Sequence, residues 1–198
     1  GTAETFSITV NPSPLVNFSE ADQVIVTGET TTAVDLTSPT TDVTFAWTVS
    51  VPTGITGVTT STGTDNIPAE TLINSTTEPL DVVYTAIATG DVGFDCEGLP
   101  TDYTVTVNPQ AQVNPVDNQV VCNDENLTIE FSTIVTGGTT TFSWTNDNTA
   151  IGLDATGTGN IDITAINTTD QPLTANIVVT PSFENDGDTN TGDSTTFT

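Results

Sequence analysis

Apolar and polar residues alternate in short runs along the whole chain. In TFSITVNP, residues 5–12, the side chains of Phe6, Ile8 and Val10 stand at every second position, and an Asn-Pro pair ends the run. A period of two is that of a half-buried β-strand, and proline cannot donate to a strand ladder. The pattern therefore predicts many short β-strands joined by turns.

Seven segments of this kind are predicted in the first half of the chain, separated by turns that contain Gly or Pro. They are Gln23–Val26, Thr32–Leu36, Val43–Val49, a weak one near Ile55–Val58, Ile67–Ile73, Leu80–Ala88 and Asp102–Val107. Short strands at this spacing are typical of an immunoglobulin-like β-sandwich. The strand with the pattern Phe-x-Trp is predicted to be central, with Trp47 and its counterpart Trp144 in the core.

The chain contains the same unit twice. Segments match in the same order and in close register: TFSITVNP (5–12) with DYTVTVNP (102–109), VIVTGETTTAVDL (24–36) with VVCNDENLTIEF (120–131), TFAWTV (44–49) with TFSWTN (141–146), TGTDNI (62–67) with TGTGNI (156–161), and NSTTEPL (74–80) with NTTDQPL (167–173). Internal matches in one order indicate tandem copies of a single fold. The predicted fold class is all-β, with two tandem sandwiches.

Proline-rich segments mark the boundaries of the copies. We expect residues 1–12 to be the last strand of a preceding repeat, residues 13–109 the first sandwich and residues 110–198 the second. The segment STTFT, at 194–198, resembles the start of that last strand, so the second sandwich is expected to lack most of it. Because proline fixes φ, the connectors should be short and stiff and the sandwiches should stack as a rod.

Two explanations account for a chain that starts with one strand and stops partway through the same strand. A tandem array divided at a repeated point gives this result. So does a subunit that lends its first strand to the incomplete sandwich of a neighbour. In the second case Phe6, Ile8 and Val10 form the assembly strand, and the partners are identical subunits in a homopolymer.

Composition narrows the partners. The chain has 46 Thr, 17 Asp and 9 Glu, no Lys, Arg, His or Met, and a formal charge of −26. Threonine suits strands, whereas nucleic acid and anionic lipid need a basic surface. No apolar run reaches the length of a membrane-spanning helix. We expect a protein partner or a cation, no nucleic acid and no membrane insertion.

The missing residue types also limit catalysis. Without His there is no Ser-His-Asp or Cys-His arrangement, and without Lys or Arg there is no side-chain clamp for a phosphate or an oxyanion. A carboxylate pair is what remains, and nothing in the sequence sets one up. We therefore expect no enzymatic activity and no catalytic residue.

The segments NQVVCNDENLTIEF, TFSWTNDNTAIGL, TGTGNI, NTTDQPLTANIVVTP and YTVTVNP resemble the PKD-like, immunoglobulin-like repeats of very large secreted surface proteins. Such proteins occur in gliding and related bacteria with type IX secretion. The resemblance covers nearly the whole chain. It implies two PKD-like sandwiches in an extracellular or cell-surface protein with a structural or adhesive role.

The cysteines depart from that family pattern. Repeats of this family often carry one Cys in the VCNG segment and another in the loop before the last strand. Here the first copy has Val26 where the second has Cys122, and the second has Asn190 where the first has Cys96. A disulfide between Cys96 and Cys122, a disulfide to a neighbouring chain and two free thiols all stay open.

The densest acidic segment is ENDGDTNTGD, residues 184–193. Asp186, Asp188 and Asn190 alternate as the oxygen ligands of calcium loops do, although the Gly and Glu that complete the EF-hand pattern are missing. These three residues are a weak candidate for a Ca²⁺ site. An Asp-Gly hairpin turn in solvent is the alternative.

Two functions follow from these patterns. The first is a structural repeat of an extracellular bacterial fibre or of a giant adhesin stalk, assembled end to end and completed by strand exchange between subunits. The alternative is an adhesion module that binds carbohydrate or protein through its loops. That alternative predicts exposed aromatic side chains at one pole, for which Phe94 and Phe183 are the candidates.

Overall fold

The chain folds into two all-β units, each with its own hydrophobic core. The computed structural model describes residues 1–90 and 96–198. The first unit comprises residues 1–73 and 80–107, and the second comprises residues 74–79 and 108–198. Within the described residues the helical structure is a single 3₁₀ turn, Thr149–Ile151. The prediction of an all-β chain with tandem immunoglobulin-like sandwiches is confirmed.

The first unit is built around one five-stranded sheet of order β2-β9-β8-β4-β6. Two short pairs, β1 with β3 and β5 with β7, complete it. The core lies among these strands and includes Trp47, Tyr84 and Tyr103. The strands are β1 (Asn17–Phe18), β2 (Gln23–Val26), β3 (Leu36–Thr37), β4 (Val43–Ser50), β5 (Ile55–Thr56), β6 (Thr62–Gly63), β7 (Ile73–Asn74), β8 (Leu80–Gly90) and β9 (Thr101–Asn108).

The second unit repeats this plan with differences. Its main sheet has the order β12-β11-β14-β15, and β16 pairs with β14 as well. A separate pair joins β10 to β13, and the core between them contains Trp144 and Phe197. The strands are β10 (Asn126–Ile129), β11 (Thr139–Asn146), β12 (Thr156–Thr158), β13 (Ile161–Thr164), β14 (Ile177–Asn185), β15 (Asp188–Thr191) and β16 (Thr195–Phe197).

A tryptophan lies flat on a glycine in both units. Trp47 pairs with Gly63 across β4 and β6, and Trp144 pairs with Gly157 across β11 and β12. A Cβ added to Gly63 would stand 2.5 Å from the indole, and one added to Gly157 would stand 2.1 Å away. The indole N–H donates to the carbonyl of Asp65 in the first unit, at 2.8 Å. The glycine of the repeated segment TGTxNI therefore leaves the space that the indole of the tryptophan occupies in each unit.

A buried carboxylate interrupts one predicted strand of the first unit. Glu70 is 4% exposed, and its Oε1 accepts from the backbone N–H and the hydroxyl of Thr59, both at 2.7 Å. Its Oε2 accepts from the hydroxyl of Tyr84 at 3.1 Å. The prediction of a continuous strand at Ile67–Ile73 is wrong, because β7 is Ile73–Asn74 and the inward-facing glutamate occupies the middle of that segment.

The first prediction concerns the glycine under each tryptophan. Gly157→Ala is expected to lower the free energy of unfolding of the second unit by about 1–3 kcal/mol, because the new methyl group overpacks a buried, rigid indole. Urea unfolding followed by tryptophan fluorescence measures it. Thr158→Ala changes an exposed neighbour on the same strand and should stay within about 0.5 kcal/mol of the native chain. Equal effects of the two changes would contradict the packing role.

The second prediction concerns alkaline pH. Burial, followed by the charge of Glu70, raises the pKa of Tyr84 above its ordinary value, and burial also raises the pKa of Tyr103. Above pH 10 the unfolded state releases these phenolic protons first, so the stability of the first unit should fall as the pH rises. Both tyrosines of the chain lie in this unit. The second unit therefore has no such loss.

The two units can be followed separately, because each has one tryptophan. Fluorotryptophan labelling gives one ¹⁹F resonance from Trp47 and one from Trp144, and urea titrations at pH 9 to pH 11 then compare the units. Tyr84→Phe should reduce the alkaline loss of the first unit. An equal loss in both units would contradict the assignment to tyrosine.

Candidate functional site

The N-terminal segment, residues 1–12, presents an unpaired apolar stripe. None of these residues lies in a strand, and Phe6, Ile8 and Val10 are 87%, 79% and 88% exposed. Single exposed apolar residues are common on protein surfaces. Three in alternation have the spacing of a half-buried strand, and no described strand pairs with this stretch.

The equivalent sequence in the first unit shows how such a strand is used. In β9 the residues Tyr103, Val105 and Val107 are all buried. They pair with β8, where Val105 stands opposite Val82 and Val107 stands opposite Leu80. The other edge of β9 pairs with β2. The last strand therefore fills the space between two strands that would not otherwise meet.

The second unit has part of the corresponding strand. Phe197 of β16 is buried and stands opposite Ile177, as Tyr103 stands opposite Tyr84 in the first unit. The pairing of β14 begins at Ile177, and residues 173–176, which correspond to the start of β8, belong to no strand. Thr198, which follows Phe197, corresponds to Thr104 of β9.

The segment that matches β2 is more exposed in the second unit. Ile25 of β2 is buried in the first unit, but Val120 and Val121, in the matching segment of the second unit, are 97% and 38% exposed. This segment meets the end of β16, where the N–H of Gln119 donates to the carbonyl of Thr198 at 2.6 Å and the N–H of Thr198 donates to Oδ1 of Asn118 at 3.0 Å. Residues 119–122 and 173–176 thus lie on the two sides of the end of β16.

The candidate calcium residues are held in different ways. Asn190 is buried, and its Oδ1 accepts from the N–H of Ala111 at 2.7 Å while its Nδ2 donates to the carbonyl of Pro109 at 3.1 Å. Asp186 is exposed at a left-handed position of the β14–β15 turn, with a φ of 49°. One oxygen of Asp188 is buried without a hydrogen-bond partner.

These two hydrogen bonds give Asn190 a structural role. Its amide holds the backbone at 109–111, which sequence reasoning missed because the contact is between residues about 80 positions apart in the chain. No group of three or more Asp, Glu, Cys or His side chains in the described ranges is arranged to hold a metal. Calcium binding by Asp186, Asp188 and Asn190 stays a prediction.

The first unit has the same close approach of a glycine to a backbone carbonyl, made by other residues. Gly98 approaches the carbonyl of Pro14 there, as Gly192 approaches the carbonyl of Ala111 in the second unit. Proline has no N–H to satisfy, and the position of Asn190 is taken by Cys96. The second unit therefore has both the N–H of Ala111 and its acceptor on Asn190, whereas the first unit, with Pro14 and Cys96 at these positions, has neither.

The cysteines and the candidate loop aromatics have these positions. Cys96 is half-buried, Cys122 is exposed, and both thiols are free. Phe183 is fully buried and packs with Ala111 and Val135, so the prediction of an exposed aromatic there is wrong. Its place on the inward-facing side of β14 was readable from the alternation of that strand. Phe94 lies outside the described residues.

The main sheet of the second unit carries shallow, polar depressions. Two open depressions on β11 and β12 are lined mainly by Thr and Ser, among them Thr141, Ser143 and Thr158. The described helical structure includes nothing long and apolar enough to span a membrane. The described stretch in which sequence repetition and exposed apolar side chains coincide is the N-terminal segment.

The third prediction tests the clamp on residues 109–111. Asn190→Ala removes both hydrogen bonds and leaves the buried N–H of Ala111 without an acceptor, which should destabilise the second unit by about 2–3 kcal/mol. Adding Ala111→Pro removes that N–H, as in the first unit, and should recover part of the loss. The ¹⁹F-detected urea titration measures both. Additive effects of the two substitutions would contradict the pairing of donor and acceptor.

Comparison with known proteins agrees with this architecture. Residues 24–111 match the family model described as a PKD-like domain. Curated protein sequences gave no match. Solved structures that are similar at low sequence identity include the two that follow. An I-band fragment of titin, I67–I69, is 12% identical over 95% of this chain and 66% of its own length, with a TM-score of 0.40.

The second is the N-terminal Ig1-2 module of the Drosophila receptor protein tyrosine phosphatase DLAR. It is 12% identical over 94% of this chain and 98% of its own length, with a TM-score of 0.29. This chain thus spans about two-thirds of the titin fragment and nearly all of the DLAR module. Its first unit is similar to PKD-like domains, and both units are immunoglobulin-like sandwiches.

Proposed function

We propose that this chain is a load-bearing structural repeat of an extracellular bacterial surface fibre or adhesin stalk, joined end to end with further repeats. The observation that carries the proposal is that one chain contains the same sandwich twice, with Pro109 and Ala111 packed into the second copy. A connector that is part of a folded unit transmits force better than a free linker does.

The strand order of the first unit suits this role. Its first four-residue strand, β2, and its last strand, β9, are neighbours in the main sheet. A force applied to the two ends of the unit is then borne by main-chain hydrogen bonds between adjacent strands. On its other edge β9 is paired with β8 from Leu80 to Ala86, which ties the loaded strand to the centre of the sheet.

The surface chemistry also suits a long extracellular object. A charge of −26 without any Lys, Arg or His keeps the chain soluble and repels other acidic surfaces. The backbone is resistant to trypsin-like proteases, which cleave after Lys or Arg. The resemblance of the sequence to PKD-like repeats of secreted bacterial surface proteins supports an extracellular, non-enzymatic role.

The fourth prediction is mechanical. Single-molecule stretching of the chain between its ends should give two unfolding events, each releasing about 30 nm of chain because the units have 101 and 97 residues. Val105→Pro breaks the ladder of β9 and should remove or weaken one event only. Ile134→Pro, at an exposed position outside any strand, is the control in the second unit. Extension without resolved events would contradict a load-bearing role.

A further inference from the structure

We infer that the β14–β15 hairpin and the last residue of β9 form a binding site for a divalent cation, which the chemistry of the site identifies as Ca²⁺. The carboxylates of Asp186 and Asp188 and the side-chain amides of Asn108 and Asn185 supply the ligand oxygens. All four residues belong to the second unit. This inference goes beyond the proposed load-bearing role and does not depend on it.

Two buried polar atoms in this part of the second unit have no hydrogen-bond partner. They are Nδ2 of Asn108, a residue with 0% exposure, and the carboxylate oxygen Oδ2 of Asp188. Among the described residues, one further buried side-chain atom, the hydroxyl oxygen of Thr140, shares this condition. An unpaired buried polar atom destabilises the fold, so each of these atoms needs a partner.

Asn185 brings the two unpaired groups together. Its Nδ2 donates to Oδ1 of Asn108 at 3.0 Å, and Asn185 stands opposite Asp188 in the register of β14 and β15. Side chains of opposite residues in antiparallel strands lie on one face of the sheet, with Cβ atoms about 5 Å apart. The buried residues Phe183 and Asn190, the next inward pair of these strands, lie on the same face. One ligand on that face can therefore reach both the amide and the carboxylate.

Both amides can present an oxygen to a cation. A half-turn of the Asn108 amide exchanges its Oδ1 and Nδ2, and a matching half-turn of Asn185 keeps the hydrogen bond between them with donor and acceptor reversed. The buried position of the unpaired Nδ2 of Asn108 then holds an oxygen. The position of Nδ2 of Asn185, which is 3.4 Å from Oδ2 of Asp186, holds one as well. The hairpin thus offers two amide oxygens beside two carboxylates.

The charge at the hairpin favours a cation over other ligands. Glu184, Asp186 and Asp188 lie within five residues of each other, and the chain has no Lys, Arg or His side chain to offset them. An anion would be repelled here, and a water molecule would leave the like charges uncompensated. Carboxylate and amide oxygens are the ligands of Ca²⁺, whose coordination geometry is flexible. Mg²⁺ demands a near-ideal octahedron and fits this set less well.

The inference changes one ligand of the set predicted from sequence. Asn190 uses its amide to hold the backbone at residues 109–111. Asn185 and Asn108 take its place, and a local sequence pattern did not include Asn108 because it lies 77 positions before Asn185. A bound Ca²⁺ would tie the end of β9 to the hairpin beside the hydrogen bonds of Asn190.

Calcium titration of the 198-residue chain, followed by NMR, tests the inference. The backbone amide resonances of Asp186, Gly187 and Asp188 should shift along one saturable curve, with a dissociation constant on the order of 10⁻⁴–10⁻³ M, as in extracellular calcium modules. The exposed acidic segment at residues 123–125 should show no saturable shift. MgCl₂ at the same concentrations should bind roughly tenfold more weakly or less.

The variant Asp188→Asn distinguishes a ligand from a merely structural side chain. It should weaken calcium binding by roughly tenfold or more, because it removes a charged ligand. Without calcium it should leave the second unit at least as stable as in the native chain, because it removes a buried charge. Asp170→Asn, at an exposed acidic residue of the same unit, is the matched control and should bind calcium as the native chain does. If Asp188→Asn unfolds the unit, Asp186→Asn at the exposed turn replaces it, since Asn tolerates a φ of 49°.

The two tryptophans provide an internal control for stability. At a calcium concentration ten times the dissociation constant, the unfolding equilibrium constant of the second unit should fall about 11-fold, because calcium binds the folded unit. The ¹⁹F resonance of Trp144 reports this in the urea titration. The first unit, followed through Trp47, should change no more than it does in NaCl of the same ionic strength.

Saturable shifts at the hairpin that are weakened by Asp188→Asn and unchanged by Asp170→Asn would support the inference. Titration to about 10 mM calcium without saturation would overturn it, because that exceeds the dissociation constants of extracellular calcium sites. Equal binding by the native chain and Asp188→Asn, or equal stabilisation of both units, would overturn it too. The stretching experiment, run in a chelator, still tests the load-bearing role in each of these cases.

Discussion

Each sandwich depends on one strand that separates two others. In the first unit β9 lies between β2 and β8 and buries Tyr103, Val105 and Val107 between them. Without a strand there, both neighbours lose main-chain partners and the core loses part of its cover. In the second unit, Val121 is 38% exposed at the position that matches Ile25 of β2, which is 7% exposed.

The two units also show which features are variable and which are fixed by packing. The tryptophan and its glycine recur unchanged, because any side chain on Gly63 or Gly157 would enter the indole. Buried polar groups vary instead: the first unit buries Glu70, and the second buries Asn190. Each of these side chains is tied to backbone N–H groups nearby, as burial of a polar group requires.

Alternation of apolar residues was enough to place the long strands β4, β8 and β9, whose side chains face one core. It failed between residues 67 and 73, where Glu70 satisfies the backbone N–H of Thr59 in place of a continuous ladder. The same limit applies to Asn190, since its partners at 109–111 are distant in sequence. Phe183 follows the inward side of β14, so attention to parity alone would have placed it in the core.

The pairing of Pro14 with Cys96 and of Ala111 with Asn190 has a consequence for how such a protein changes length. In each pair both residues lie within one repeat, so a whole repeat that is duplicated or deleted takes its own connector chemistry with it. Recombination between copies therefore need not leave a buried N–H, such as that of Ala111, without its acceptor. An array built this way can gain or lose modules while every remaining module keeps its internal hydrogen bonding.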